Sequence, residues 1–217
     1  MITITAFQWV PPFAQGLVRD LRVRWALEEA GLPYQARLIG PSDQKSAEYR
    51  AQQPFGQVPV FEEDGLVLFE SGAIVLHVGA RSDVLLPRDP AGRARATTWL
   101  FAALNSIEPR IQQLAEIDLF FANEQWAAER RPGLAERVHQ RLHDLAVCLG
   151  DREYLDERFT AGDLMMTTVL RNLRHTNTLD EFPTLKAYKQ RCEARPAFAR
   201  ALAAQLAPFE HGPSRAS

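Results

Sequence analysis

The spacing of the apolar residues changes once along the chain, and this change limits the fold more than any other feature. Residues 1–81 combine segments in which apolar and polar residues alternate, as in a strand, with segments of helical spacing. The stretch 82–93 holds two prolines and a glycine, which predicts a linker. The sequence therefore predicts an α/β domain over 1–81, an all-helical domain over 94–211 and a flexible tail over 212–217.

The elements of the first domain are predicted in the order β-α-β-α-β-β-α. A strand at residues 2–7 is followed by a helix that starts near Val18 and ends at Gly31 and Pro33. This helix has two apolar stripes, which predict burial on more than one side. The next elements are a strand (34–38), a short helix around 47–49, and two strands (58–61 and 66–69) joined by an Asp64-Gly65 turn. The last element, at 73–78, is predicted to be a helix, although its Ile and Val residues also suit a strand.

The second domain reads as a series of helices separated by proline and glycine. At least five helices are predicted from the breaks at Pro109, Pro132-Gly133, Gly150, Pro183 and Pro196. One helix start is well marked, because Thr160 offers an N-cap hydroxyl and Asp163 a carboxylate three residues later. We interpret this pair as a folding signal rather than as catalytic groups.

Charge and hydropathy exclude several classes of function. The 217 residues carry 25 Lys and Arg against 27 Asp and Glu, a formal net charge of −2. A charge this close to zero excludes a global basic field, so we expect no nucleic-acid partner. No apolar run reaches the ~20 residues that span a bilayer, and the first residues lack the features of a signal peptide. We therefore expect a cytoplasmic protein without a membrane partner.

Metal binding is also not expected. The two cysteines, Cys148 and Cys192, are too few for a disulfide framework or a Cys-only zinc site. His139 and His143 lie four residues apart in a helical segment, but no motif supplies a third ligand. A solvated helix face is the simpler interpretation of this pair.

Five segments resemble the cytosolic glutathione S-transferase family, in order and at the expected spacing. They are residues 24–34 (RWALEEAGLPY), 53–60 (QPFGQVPV), 70–74 (ESGAI), 159–163 (FTAGD) and 194–198 (ARPAF). The second is similar to the family's N-P-x-G-x-V-P-V segment and the third to its E-S-x-A-I segment. The resemblance implies a thioredoxin-like α/β N-terminal domain (βαβαββα) followed by an all-α C-terminal domain.

The resemblance also implies a glutathione site in the first domain. It implies a cis peptide bond between Val58 and Pro59, with the backbone of Val58 docking the extended tripeptide as a strand would. Ser71, at the start of a helix, would bind the γ-glutamyl carboxylate, and Glu70 would face the ligand's ammonium group. The side chain of Gln57 could reach the ligand's backbone or its carboxylate.

The chain departs from the family where the thiol should be activated. Family members use a Tyr, Ser or Cys near the first strand, but residues 8–20 contain no Tyr, Ser, Thr or Cys. Counting back along the first helix puts the expected position at Gly16 or Leu17, whose side chains cannot donate a hydrogen bond. Backbone N–H groups at the helix start could stabilise the thiolate instead. Three nearby side chains are further candidates: Trp9, Gln15 and Arg19. A third possibility is that glutathione binds without efficient conjugation.

The predicted function is that of a glutathione S-transferase-like enzyme with glutathione as co-substrate. Its thiolate would attack an electrophilic carbon or a peroxide, and the helical domain would supply an apolar pocket for a small hydrophobic electrophile. Phe120, Phe121 and Trp126 are interpreted first as helix-packing residues, and they could also line that pocket. The resemblance further implies a homodimer. The alternative function is a non-catalytic module that binds glutathione or a protein partner.

Overall fold

The computed structural model describes residues 1–210 and residue 212. Its internal contacts divide the chain into two units, residues 1–85 together with those from 195 onward, and residues 86–194. Of the predicted tail at 212–217, only Gly212 lies within the described residues.

The first unit begins with a small α/β domain. Its elements are β1 (Ile2–Phe7), α1 (Asp20–Ala30), β2 (Tyr34–Ile39), α2 (Pro41–Lys45), α3 (Ala47–Gln52), β3 (Phe61–Glu63), β4 (Leu66–Leu68) and α4 (Ser71–Gly79). The sheet has the order β2-β1-β3-β4. β1 runs parallel to β2 and antiparallel to β3, and β3 and β4 form the predicted hairpin. The predicted thioredoxin-like α/β fold is confirmed.

Three local details differ from the sequence prediction, and a fourth element, which was ambiguous, is the predicted helix. α1 begins at Asp20 rather than near Val18, because residues 12–17 form successive turns. Two short helices, α2 and α3, replace the single one predicted, and the element left open at 73–78 is helical. β3 begins at Phe61 rather than at residue 58, since the N–H of Val60 donates to the Thr5 side chain instead of a strand backbone.

Both faces of β1 are covered, which the alternating pattern did not predict. Ile4 on one face is fully buried, and Thr5 on the other is only 1% exposed. Thr5 contacts Tyr49 of α3, whose hydroxyl lies 3.1 Å from the threonine hydroxyl. A buried hydroxyl needs a partner, so this polar residue in a core strand already indicates a specific contact.

The second unit is entirely helical. Its elements are α5 (Pro90–Ala102), a π-helical turn (Ala103–Ile107), α6 (Glu108–Phe120), α7 (Gln125–Leu149), α8 (Ala161–Leu170), two 3₁₀ turns (Arg171–Leu173 and Thr178–Glu181) and α9 (Pro183–Glu193). The predicted break at Pro132-Gly133 is wrong, because α7 continues through both residues. One lost hydrogen bond is offset over this long helix by its buried face, which includes Leu134, Val138 and Leu142.

The predicted cap of α8 is present. Thr160 accepts a hydrogen bond from the Gly162 N–H, and Asp163 accepts one from the Thr160 N–H at 2.9 Å. Asp163 also accepts from the buried Tyr188 hydroxyl of α9 at 3.0 Å. A Cβ on Gly162 would lie 2.5 Å from the Cβ of Trp99. The motif therefore joins α8 to two neighbouring helices within its unit.

The last helix, α10 (Pro196–Leu206), belongs to the first unit, although the sequence prediction placed it in the helical domain. Its apolar face packs on α1, where the ring of Phe198 meets that of Trp25 at 4.8 Å in an edge-on arrangement. Arg195 binds both carboxylate oxygens of Glu29, at 2.6 and 2.8 Å. Periodicity reveals that a helix has an apolar face but not which element covers it.

Candidate functional site

Residues 57–60 lie beside β1 and leave two backbone groups unused. The peptide bond between Val58 and Pro59 is cis, as the resemblance implied. The side chain of Val58 is buried in a cluster with Ile39, Tyr49 and Val60. Among the described residues, neither the N–H nor the C=O of Val58 has a hydrogen-bond partner. An extended peptide could pair with both groups.

The neighbouring Gln57 has an exposed side chain, while its carbonyl is used internally. That carbonyl accepts a hydrogen bond from the Tyr49 hydroxyl at 2.6 Å. The preceding residue, Gly56, has a left-handed φ of 63°, and a Cβ there would lie 2.6 Å from the guanidinium carbon of Arg50. The left-handed conformation favours glycine at this turn, whereas the contact alone would not, because the flexible end of the Arg50 side chain can shift.

Glu70 and Ser71 stand at the junction between β4 and α4. Glu70 has φ 69° and ψ 112°, a conformation that residues other than glycine rarely adopt and that costs about 1–3 kcal/mol. Such strain is concentrated at functional sites. Ser71 is the first residue of α4 and is 5% exposed. Its position at the positive end of the helix suits an anion.

Arg22 of α1 joins this group, and the sequence prediction missed it. Its Nη1 donates to the Ser71 Oγ at 3.2 Å, and the side chain is 3% exposed. The arginine brings a buried positive charge to the N-terminal end of α4. Its position between the apolar Leu21 and Val23, in a helix predicted to be buried on more than one side, was the available signal. A buried arginine needs a polar or anionic partner.

The loop between β1 and α1 places the candidates for thiol activation. Gly16 is buried with φ 77°, and the N–H of Leu17 donates to the Ala14 carbonyl. The side-chain amide of Gln15 donates to the Val10 carbonyl at 3.2 Å, so one of its two N–H groups is occupied. Arg19 directly precedes α1 and has helical backbone angles.

The N–H of Val18 has no partner among the described residues. The carbonyl of the same residue accepts from the Gln205 side chain of α10 at 3.0 Å. Gln205 also donates to Asp20 at 2.6 Å, and Asp20 pairs with Arg24 at 2.8 Å. Burial raises the pKa of Asp20, and Arg24 opposes this shift. This buried network fixes the start of α1.

Trp9 lies apart from the loop turns, on the wall of a cavity of 500 Å³ at the carboxyl ends of β1 and β2. The cavity also touches Phe7, Ile39 and the first residues of α2, including Asp43. Ligands of α/β sheets commonly bind at the carboxyl ends of parallel strands.

The helical unit carries exposed aromatic side chains of its own. Phe120 is 64% exposed, and the rings of Phe121 and Trp126 lie 5.1 Å apart. Within the described residues, no three His, Cys, Asp or Glu side chains cluster closely enough to hold a metal ion. His139 instead lies 3.5 Å from Glu181. None of the helices in the described part of the chain is long and apolar enough to cross a bilayer.

The chain is similar to known proteins over most of its length. Residues 13–80 match the family model for the N-terminal domain of glutathione S-transferases. A glutathione S-transferase-like protein of Aspergillus terreus is 39% identical over 95 residues, which cover 41% of this chain and 42% of that protein. A glutathione S-transferase of Hyoscyamus muticus is 27% identical over 198 residues, covering 84% of this chain and 92% of that protein.

A solved structure extends the similarity to three dimensions. A glutathione transferase family member from Pseudomonas fluorescens, with two glutathione molecules bound, superposes with a TM-score of 0.81 at 28% identity. The superposition covers 93% of this chain and 92% of that protein. Sequence motifs, fold and relatives agree: residues 13–80 form a glutathione S-transferase N-terminal domain, and the chain as a whole is similar to cytosolic glutathione S-transferases.

Proposed function

We propose that this protein binds glutathione and uses its thiolate to attack an electrophilic carbon or a peroxide. Similarity to the family supports a glutathione transferase-like function, and a relative of the same fold was solved with two glutathione molecules bound. The observation that carries the proposal is the pair of unused backbone groups on Val58. The cysteinyl unit of glutathione would form two hydrogen bonds with them, as an added strand does.

The γ-glutamyl end of the ligand would bind at the start of α4. Its carboxylate would accept hydrogen bonds from Ser71 and from the helix N-terminus, and the buried charge of Arg22 would stabilise it. Glu70 would bind the ammonium group, for which its strained backbone conformation provides the position. The exposed side chain of Gln57 would contact the ligand's backbone or carboxylate.

The thiolate would be stabilised by backbone N–H groups at the start of α1. The free N–H of Val18 supports this assignment, and so does the absence of any hydroxyl or thiol side chain in residues 8–20. One of the two amide N–H groups of Gln15 is already bonded to the Val10 carbonyl, which makes that side chain a weaker candidate. Aligned N–H groups lower the pKa of a thiol because they favour its charged form.

The second substrate would be a small hydrophobic electrophile or a peroxide, and the protein would act as a homodimer without a metal. The exposed aromatic side chains of the helical unit support an apolar contact for such a substrate. Both the conjugation and the peroxide reaction require the same thiolate, so one binding site serves either.

Titration calorimetry with glutathione tests the binding site. Ser71→Ala removes one hydrogen bond and is expected to weaken the affinity about two- to tenfold. Ser82→Ala, at a partly exposed residue that follows α4, is the matched control and should bind as the wild type does. Equal affinity of Ser71→Ala and the wild type would remove Ser71 from the site.

A non-catalytic glutathione-binding module is the second candidate, and the missing hydroxyl favours it. The two candidates differ in turnover, measured over a panel of electrophiles and peroxides. Retention on immobilised glutathione without any turnover supports the binding module, whereas turnover of one compound class supports the enzyme. Failure of the folded protein to bind millimolar glutathione would refute both.

A further inference from the structure

Four polar groups next to residues 57–60, the proposed docking segment for glutathione, form a continuous hydrogen-bonded chain. The N–H of Val60 donates to the Thr5 Oγ1 at 2.7 Å. The hydroxyls of Thr5 and Tyr49 lie 3.1 Å apart. The Tyr49 hydroxyl in turn lies 2.6 Å from the carbonyl oxygen of Gln57. The chain starts on one side of the Val58-Pro59 dipeptide and ends on the other.

Only one assignment of the protons satisfies this chain. A carbonyl oxygen can only accept, so the single proton of Tyr49 is donated to Gln57. The backbone N–H of Val60 can only donate, so Thr5 accepts there and donates its own proton to Tyr49. Burial raises the pKa of Tyr49, which keeps its proton available for donation. Hydrogen bonds arranged in one direction strengthen one another in a buried setting.

This hydrogen-bonded chain fixes the direction in which the backbone N–H of Val58 points. Among the described residues, the peptide bond between Val58 and Pro59 is the only cis one, so the bond between Gln57 and Val58 is trans. In a planar trans peptide the C=O and the following N–H point in opposite directions. Because the Gln57 carbonyl points at the Tyr49 hydroxyl, the Val58 N–H is turned away from Tyr49.

We propose that Tyr49 is a positioning residue for glutathione, orienting the Val58 N–H through the carbonyl of Gln57, with Thr5 as its support. The role rests on the proposed function, since it assumes that the tripeptide docks on Val58. A phenylalanine at residue 49 would fill the same space in the cluster with Ile39 and Val60. The positioning role therefore depends on the hydroxyl of Tyr49 and not on the packing of its ring.

The role is tested by calorimetric titration of the folded protein with S-methylglutathione, which binds without reacting. Tyr49→Phe removes only the hydroxyl and is expected to raise the Kd about tenfold, since the Gln57 peptide is no longer held. Thr5→Val should raise it by a similar factor, and Thr5→Ser, which keeps the hydroxyl, should restore the affinity. The double variant, Thr5→Val with Tyr49→Phe, should have about the same Kd as either single variant, because both substitutions interrupt the same hydrogen-bonded chain.

Tyr188→Phe is the matched control. Tyr188 is also buried and also donates its proton, to Asp163 at 3.0 Å, but it belongs to the helical unit. This variant is expected to unfold at a lower temperature and to bind S-methylglutathione like the wild type.

The outcomes separate the inference from the proposed function. If the wild type fails to bind S-methylglutathione, the proposed function is refuted, and the positioning role with it. If the wild type binds and folded Tyr49→Phe binds equally well, only the positioning role is refuted. Should Tyr49→Phe fail to fold, equal affinities of Thr5→Val and Thr5→Ser refute the role in the same way.

Discussion

Arg22 provides the sharpest test of the proposed γ-glutamyl site. We consider Arg22→Met, which keeps an unbranched apolar side chain and removes the guanidinium. In the wild type this group donates to Ser71 at 3.2 Å and lies at the first residue of α4. The variant therefore removes a positive charge from the place where the ligand's carboxylate is proposed to bind.

The size of the effect follows from the burial of Arg22. The side chain is 3% exposed, so solvent screens its charge far less than that of a surface arginine. A hydrogen bond to a charged group contributes about 1.5–3 kcal/mol, which corresponds to a roughly 10- to 150-fold change in Kd. Loss of the neutral Ser71 hydroxyl is worth about 0.5–1.5 kcal/mol. Arg22→Met should therefore weaken glutathione binding more than Ser71→Ala does.

The assay compares glutathione with an analogue in which γ-aminobutyrate replaces the γ-glutamyl unit. This change removes the α-carboxylate and keeps the ammonium group on the same carbon. Calorimetry on the wild type should show much weaker binding of the analogue than of glutathione. In Arg22→Met the difference between the two ligands should shrink by the same ~10- to 150-fold factor. This comparison cancels any general loss of stability, because both ligands are titrated into the same variant.

Arg195→Met is the control for removing a partly buried arginine from the same unit. Arg195 binds both carboxylate oxygens of Glu29, near the other end of α1. This variant should lose stability without changing the preference for glutathione over the analogue. If Arg22→Met keeps the full preference of the wild type, the guanidinium does not act on the carboxylate and the reasoning is refuted.

Two further predictions concern the helical unit. Gly162→Ala should lower the free energy of unfolding by about 1–3 kcal/mol, because its Cβ would lie 2.5 Å from that of Trp99. Gly133 has open space around it, so Gly133→Ala is the control and should not lower this free energy. Urea unfolding measures both variants. Burial raises the pKa of Asp163 above 3.8, so its contribution to stability should fall as the pH rises through 3.8 toward the folded pKa. Asp163→Asn should have a lower free energy of unfolding and should lose this decrease with pH, which urea titrations at a series of pH values measure. The same pH dependence in the variant and the wild type would show that Asp163 is not its source.

The features that could be predicted from the sequence are those recorded in neighbouring residues. The Asp64-Gly65 turn, the glycine that ends α1 and the cap at Thr160 each depend on local conformational preferences, and each is present in the structure. The cis bond before Pro59 came from the family resemblance rather than from physical reasoning. The docking groups of Val58 followed from that resemblance, and their use by glutathione stays a prediction.

The features that were missed depend on contacts between distant residues. Arg22 and Ser71 are 49 positions apart, and Thr5 and Tyr49 are 44 apart. The helical spacing of α1 indicated burial on more than one side, but it could not assign a partner to an arginine in that surface. The continuation of α7 through Pro132 likewise depends on packing along the whole helix, which outweighs one local preference.

The missing hydroxyl in residues 8–20 changes what the rest of the chain must supply. A side-chain donor can follow the sulfur by rotating, whereas a backbone N–H is useful only if its peptide is held in place. The start of α1 is held in this way, because Gln205 binds both the carbonyl of Val18 and the carboxylate of Asp20. Tyr49 holds the peptide that carries the Val58 N–H by the same kind of contact, a buried side chain bonded to a neighbouring carbonyl. If backbone donors hold both the cysteinyl unit and its thiolate, as proposed, these buried polar side chains are required to position them. Their loss should then impair glutathione binding although none of them is proposed to touch the ligand.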